Sequence, residues 1–355
     1  MSRADRVAGR LSEKGVDLLL VTHLPNLRYL TGFTGSNGMA VVGDGVRRFV
    51  TDFRYVEQAK VEVPDFDREQ GPQELLAAVG RGLDGVKRLG FDEAHLTVRA
   101  HKRLGELLPA HVELVPAAGV VEEVRAVKEP GEILRIGAAA ALVDEIYAWL
   151  LEFGLVGKTE RDVAVALEHE MRLRGASGPS FDSIVASGEH GALPHATPRD
   201  VAIAPDTLVT LDIGAVLDGY CSDCTRTWAT GASVPDELVE IYALTLRAQV
   251  TSLDAVRPGP LGREIDAIAR DIIDAAGHAE HFGHGLGHGV GLVTHEAPRL
   301  ARSGTAPLAA GNVVTVEPGV YLPGVGGVRI EDLVVVTETG RDVLSKTTKV
   351  LLAVE

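Results

Sequence analysis

Two stretches of the chain place acids where strands should bury apolar groups. The first, Val209 to Thr227, holds Asp212 and Asp223 among apolar and β-branched residues, with Leu217-Asp218-Gly219 as a turn signal. Folded as an antiparallel hairpin centred between Leu217 and Asp218, it puts Asp212 and Asp223 directly opposite each other. Cross-strand neighbours of this kind have Cβ atoms ~4.5–5.5 Å apart. The second, Asn312 to Asp332, turns through Leu322–Gly327 about Gly324 and makes Glu317 and Glu331 a second facing pair. Between them runs Phe282-Gly283-His284-Gly285-Leu286-Gly287-His288-Gly289-Val290-Gly291-Leu292, followed by His295. Carboxylates this close repel strongly in a low-dielectric interior, so either one keeps a proton or a cation neutralises both. Their spacing suits two divalent metals ~3.5–4 Å apart. Imidazole is a common transition-metal ligand, and four carboxylates with one imidazole make a mixed O/N site suited to Mn, Co or Zn.

Each residue taken alone has a plainer reading: an Asp in a strand usually sits at an edge or in a salt bridge, and Glu-Pro usually marks a turn. The conjunction of two mirror-placed acid pairs with a glycine-flanked histidine is what points to metal. The glycines around His284 and His288 fit neither the phosphate-loop spacing nor the dinucleotide fingerprint.

The elements that must position these groups fall into two parts. Residues 1–125 alternate helical and strand patterns: a helix over Arg3–Lys14, strands over Asp17–Thr22, Met39–Val42 and Val46–Thr51, and a Gly-rich loop from Asn26 to Gly38. Helices near Gln73–Gly80 and Val98–Leu107 alternate with strands near Lys87–Gly90 and Val112–Val115. His23, His95, His101 and His111 are scattered through this part and read as structural or surface residues. The boundary lies near Arg125 to Glu132, where Pro130-Gly131 stops one element. From 126 to 355 the pattern is a long helix to about Glu152, a helix from about Thr159 to Leu173 with Thr159 as N-cap, and a strand over Phe181–Ser187. A loop with His190 and His195 leads to the first acid hairpin. Helices over Asp236–Val256 and Gly262–Ala276, the second hairpin and a terminal strand near Lys349–Val354 follow. The order helix pair, strands, acid hairpin thus occurs twice, as a duplicated α/β half with a site between the copies would give.

Composition bounds the rest. The 355 residues are 45% hydrophobic, enough for a full core, and carry 50 acids against 35 bases for a formal net charge of -15. That balance argues against nucleic acid and anionic membranes as partners. No apolar run approaches the ~18 residues of a membrane helix, and Met1 to Arg6 leads into an amphipathic helix instead of a signal-peptide core, so the expected location is cytoplasmic. The two cysteines, Cys221 and Cys224, cannot form a disulfide framework. Three apart on a strand they face opposite ways, which favours buried small apolar residues over a shared metal.

These residues also resemble a known family. Leu211-Asp212-Ile213-Gly214, Ser222-Asp223-Cys224-Thr225-Arg226-Thr227, Gly283-His284-Gly285-Leu286-Gly287-His288-Gly289, Val316-Glu317-Pro318-Gly319-Val320-Tyr321 and Arg329-Ile330-Glu331-Asp332 look like the pita-bread metallopeptidases, and Ala192-Leu193-Pro194-His195-Ala196 fits the same family. The extra N-terminal domain, Pro194-His195 and Arg329 point to the Xaa-Pro branch, prolidase and aminopeptidase P, over methionine aminopeptidase. The resemblance implies an α/β (α+β) fold, with an N-terminal mixed-sheet domain over 1–125 for dimerisation and site shielding and a catalytic pita-bread domain over 126–355.

By the same resemblance Asp212 binds one metal, His288 and Glu317 the other, and Asp223 and Glu331 bridge them. The two metals, manganese foremost with cobalt or zinc as alternatives, activate a water. Glu317 is also the general base, His195, His284 and His295 surround the substrate, and Arg329 and Tyr321 take substrate-side or supporting positions; a salt bridge from Arg329 to a ligand acid is the structural alternative. The implied reaction is hydrolysis of the Xaa-Pro bond by a homodimer. Dipeptidase is favoured. The loop Thr34-Gly35-Ser36-Asn37-Gly38 lacks the charged residues some prolidases use to bar longer substrates, which keeps aminopeptidase P as the alternative. A silent binding protein of the same family is disfavoured because all five ligands are present.

Overall fold

Helix boundaries follow their capping chemistry. Thr159 Oγ1 accepts the Asp162 N–H at 3.0 Å while Asp162 reaches back to the Thr159 N–H at 3.3 Å, and the helix Glu160–Leu173 starts there. Ser2 and Asp5 make the same box ahead of Arg3–Ala8. The structure, a computed structural model, describes residues 1–354. It divides into two compact units, Met1–Arg125 and the chain from Ala126 onward.

The first unit is built on a six-stranded mixed sheet. Its spatial order is Asp67–Gln70, Val46–Thr51, Gly38–Gly43, Leu18–Val21, Arg88–Phe91, Glu113–Pro116. Leu18–Val21 runs antiparallel to Gly38–Gly43 and parallel to Arg88–Phe91. Asp67–Gln70 is a charged, largely exposed edge, a composition that blocks further pairing and also hides the strand from a hydrophobicity reading. The Gly-rich loop expected from Asn26 is in its first half a helix, Leu24–Thr31. Leu27 and Leu30 turn inward with Tyr29, and Gly32 ends the helix in the left-handed region at φ 81°. The expected first helix is shorter, Arg3–Ala8, and continues as a 3₁₀ turn, Leu11–Lys14.

In the second unit each acid hairpin lies over its own helix pair. Pro130–Phe153 and Glu160–Leu173 pack Leu142, Ile146, Leu150, Val163 and Leu167 against Val209, Leu211, Ile213 and Trp228 of the first hairpin. Asp236–Ala255 and Gly262–Ala275 pack Leu238, Ile241, Ala248, Ile265 and Ile273 against Val314, Val316, Ile330 and Val334 of the second. The hairpins are stitched together directly: the Glu331 N–H donates to the Thr225 carbonyl (3.1 Å), and Thr227 Oγ1 to the Arg329 carbonyl (2.9 Å). Among the described residues no strand forms over the expected Lys349–Val354; Ala353 makes one isolated bridge to Ala229.

The first hairpin corrects the expected register. Leu217 pairs with Tyr220 around a two-residue turn, and Asp218 and Gly219 both have positive φ, at 50° and 79°. Asp212 therefore faces Thr225, not Asp223, and Asp223 lies diagonally across on the same face. The second hairpin has the expected register. Val316 pairs with Asp332 on one side of the acids and Gly319 with Arg329 on the other, about Gly324, so Glu317 and Glu331 stand across from each other.

Candidate metal centre and active site

Asp212 sits in the middle strand of a three-stranded sheet, flanked by Ile184 and Thr225. Alternation along the partner strand sends Asp223, Thr225 and Thr227 to the site face and Cys224, Arg226 and Trp228 to the core. Neither cysteine is in a disulfide, both are buried, and burial pushes the Cys224 thiol up. Arg226 pairs at 2.8 Å with Asp332, the acid that follows Glu331, and both side chains are 1% exposed.

His288 is placed by the glycines around it. A Cβ on Gly287 would lie 2.0 Å from the Thr315 carbonyl oxygen, and one on Gly289 would lie 2.2 Å from that of Ala297. Only glycine lets the strand Gly287–Gly289 fit between its neighbours. His288 Nδ1 lies 3.1 Å from the Gly289 carbonyl, which can only accept, so Nδ1 carries a proton and Nε2 faces the acids.

One carboxylate oxygen from each of Asp212, Asp223 and Glu331 lies within 4.8 Å of the others. His288 Nε2 is 3.6 Å from Asp223 Oδ2 and 3.2 Å from Glu317 Oε1. Thr225 Oγ1 donates to Glu331 Oε2 at 2.7 Å, and Thr315 Oγ1 to Glu317 Oε1 at 2.9 Å. Arg329 is the buried cation. It donates to Asp212 Oδ2 (2.7 Å), the Tyr321 hydroxyl (2.8 Å), the Pro194 carbonyl (3.1 Å) and Thr225 Oγ1 (3.1 Å).

The electrostatics follow from four acids in apolar walls. Burial raises Asp223 well above the usual carboxylate range, and the Glu331, Asp212 and Glu317 charges add to it. Glu331 is raised by the same two causes. Burial also raises Asp212, with Arg329 opposing. Burial pushes Glu317 upward too, but the His288 hydrogen bond and charge outweigh it and hold Glu317 at about 2. His288 is pulled down by burial and raised on balance by Glu317. Two oxygens in this cluster, Asp212 Oδ1 and Glu331 Oε1, are buried and without a hydrogen-bond partner. Orphaned carboxylate oxygens converging with an imidazole nitrogen are what a divalent cation would satisfy, so the residues fit the group.

An open cavity of about 560 Å³ reaches the cluster, lined by Asp212, Asp223, His288, Glu317 and Arg329 together with His195, His284 and His295. Glu331 and Tyr321 lie behind this lining. His195 and His295 are exposed to the cavity, with the His295 ring 4.2 Å from that of His288. His284 is engaged on both nitrogens, Nδ1 with the Gly285 carbonyl (2.8 Å) and Nε2 with the Tyr321 hydroxyl (2.9 Å). Phe181, Ile184, Pro194 and Ala196 give one wall an apolar surface. The sequence reading missed Thr225, Thr315 and that wall. Thr225 stood inside the quoted motif, and its position two residues from Asp223 was the available signal.

A metal-fitting acid cavity between two hairpin-and-helix-pair halves defines a metallopeptidase of pita-bread fold. Residues 135–338 match metallopeptidase family M24 and residues 3–127 match the creatinase/prolidase N-terminal domain. The chain belongs to metallopeptidase family M24; it is a hydrolase whose family implies divalent metal ions. It is 34% identical to a Xaa-Pro dipeptidase of Pyrococcus horikoshii, with 96% of each chain covered. A Xaa-Pro dipeptidase from Bacillus anthracis has the same fold at a TM-score of 0.96, with 40% identity and 99% of each chain covered. An X-Pro aminopeptidase from Thermotoga maritima matches at 0.90, with 32% identity over 99% of this chain and 100% of that one. No helix among the described residues is long and apolar enough to cross a membrane.

Proposed function

We propose that this protein is a two-metal exopeptidase that hydrolyses the peptide bond preceding proline, acting as a Xaa-Pro dipeptidase. The observation that carries the proposal is the pair of orphaned, buried oxygens of Asp212 and Glu331 beside Asp223, Glu317 and His288 in one open cavity. Asp212 would hold one ion, His288 and Glu317 the other, and Asp223 and Glu331 both. Manganese is the proposed ion, because four carboxylates against one imidazole favour a hard cation; cobalt and zinc are the alternatives. When bound, such ions supply Lewis acidity and lower the pKa of water.

The chain's own groups do the rest. Glu317 is ionised at neutral pH, and Thr315 and His288 hold its Oε1, so its other oxygen is available to take a proton and return it to the leaving proline nitrogen. Among the described residues His195 and His295 have no hydrogen-bond partner, and they can donate to the scissile carbonyl oxygen as it gains charge. Both nitrogens of His284 are occupied, so its proposed role is to shape the wall. Arg329, in the cavity wall, supports Asp212, and Tyr321 supports His284 from behind. The apolar wall of Phe181, Ile184, Pro194 and Ala196 suits a pyrrolidine ring, and nothing in it demands an N–H of the scissile amide, which proline lacks.

A second reading, cleavage of the same bond at the N-terminus of longer peptides, is supported by the full-length match to the Thermotoga X-Pro aminopeptidase. The proposed setting is a cytoplasmic homodimer formed through the N-terminal unit. The test is hydrolysis of a Xaa-Pro dipeptide and a Xaa-Pro-Xaa tripeptide by manganese-loaded and by chelated protein. Metal-dependent cleavage of the dipeptide alone supports the dipeptidase. Cleavage of the tripeptide with little on the dipeptide replaces it with the aminopeptidase, and cleavage of neither overturns both.

A further inference from the structure

The N-terminal unit contains a second group of metal-fitting side chains, which sequence spacing conceals. The parallel pairing of Leu18–Val21 with Arg88–Phe91, Leu20 opposite Phe91, brings the residues after the two strands to one end of the sheet. His23 follows the first strand, and Asp92 and His95 follow the second. Glu122 joins them from the helix Val120–Ala126. One ligand atom each from His23, His95 and Glu122 lies within 4.8 Å of the others. The two imidazole rings stack 3.5 Å apart, and His95 Nε2 lies 3.8 Å from Asp92 Oδ2 and 3.9 Å from Glu122 Oε1. His23 Nδ1 is buried and makes no hydrogen bond.

Topology singles out this place independently. From Leu18–Val21 the chain builds outward to one side through Gly38–Gly43, Val46–Thr51 and Asp67–Gln70, then crosses to the other side for Arg88–Phe91 and Glu113–Pro116. The gap beyond the carboxyl ends of Leu18–Val21 and Arg88–Phe91 is therefore the switch point, where open α/β sheets bind their ligands. A cavity opens there, lined by His23, Asn26, Asp92 and Glu122, with about 10 Å³ of free volume; His95, exposed, stands outside this lining. That is room for a single ion or water, not for an organic ligand. The surrounding groups are oriented: Asn26 donates its amide to Glu122 and accepts from Arg125 Nη1 at 2.6 Å, and Asp92 Oδ1 is held by the Ala94 N–H. Burial, then His95, lowers His23 to about 4, which favours the neutral imidazole that a metal requires. Burial and the nearby Glu122 charge raise Asp92, a cost that a cation between them removes.

We propose that His23, His95 and Glu122, supported by Asp92, bind one divalent transition-metal ion, zinc in preference. Two imidazoles favour zinc, cobalt or nickel over magnesium or calcium, which take oxygen ligands. The ion ties the helix Val120–Ala126 to the ends of two central strands and serves stability, not the peptidase chemistry.

The test uses the full-length chain carrying Asp223→Asn and Glu331→Gln, which weakens the acid centre. Zinc per chain is measured by equilibrium dialysis, with and without the additional change His95→Ala or, separately, Glu122→Gln. The difference within each pair isolates the N-terminal site whatever the acid centre retains. The expected result is one equivalent of zinc lost, or bound at least tenfold more weakly, with either additional change. Equal zinc content and affinity within the pairs would overturn the proposal and leave the histidines as a packed, metal-free pair. Far-UV circular dichroism checks folding. Should a variant unfold, the rise of the unsubstituted chain's melting temperature on adding a third equivalent of zinc decides, and its absence overturns the site.

Discussion

Arg329 Nη2 lies 2.7 Å from Asp212 Oδ2, in a wall where the two side chains are 3% and 12% exposed. The guanidinium also holds Tyr321, Thr225 and the Pro194 carbonyl, so one residue ties both hairpins to the loop bearing His195. Replacing it by Met leaves Asp212 buried with no cation. Losing one partner of a buried pair costs about 3–5 kcal/mol, a fall in melting temperature on the order of 10 °C. Arg329→Lys should fail as well, since an ammonium cannot serve four acceptors in this planar arrangement. Differential scanning calorimetry of metal-free protein checks both, and an unchanged melting temperature in Arg329→Met would show that the pair carries no stability.

Asp223→Asn is expected to abolish turnover and to lower bound metal by at least one ion per chain. The metal-free variant should melt at or above the wild-type temperature, because the substitution removes a carboxylate held under burial strain and like-charge repulsion. Wild-type activity in this variant would sink the two-metal reading.

Stability and pH are linked through the same acids. Asp223 and Glu331 are raised in the folded chain above their unfolded values of about 4. Between the two values the folded state binds more protons, so metal-free protein loses stability as pH rises from about 4 through the raised range. On the two-metal proposal, bound cations would replace those protons and remove the loss. The melting-temperature gap between metal-loaded and chelated protein should therefore widen from pH 5 to pH 8; a constant gap would count against a cation at these acids.

Thr225→Val keeps shape and removes the hydroxyl that donates to Glu331 and accepts from Arg329 Nε. Residues one step behind metal ligands typically change affinity or activity by about 10–100-fold. Metal titration and kcat/KM should both fall within that range while the melting temperature of metal-free protein moves little.

How much the sequence discloses depends on how local the determinant is. The second hairpin was legible because its turn and both arms are contiguous, and Glu317 and Glu331 follow from counting outward from Gly324. The first hairpin was misread by two residues because Leu217 belongs to the strand and the turn is Asp218-Gly219 alone; the faces survived because a shift of two preserves alternation. The helix Leu24–Thr31 was hidden by the glycines that follow it. His23 and His95 read as unrelated because a parallel crossover, not proximity in sequence, brings them into contact. The engagement of both His284 nitrogens is likewise a tertiary fact.

The acid cluster draws on chain from Asp212 to Glu331, and the hydrogen bond from the Glu331 N–H to the Thr225 carbonyl closes it. During synthesis the N-terminal unit and the first hairpin are made before the second hairpin exists. A growing chain therefore cannot assemble the acid cluster until Glu331 has been made and has met Thr225.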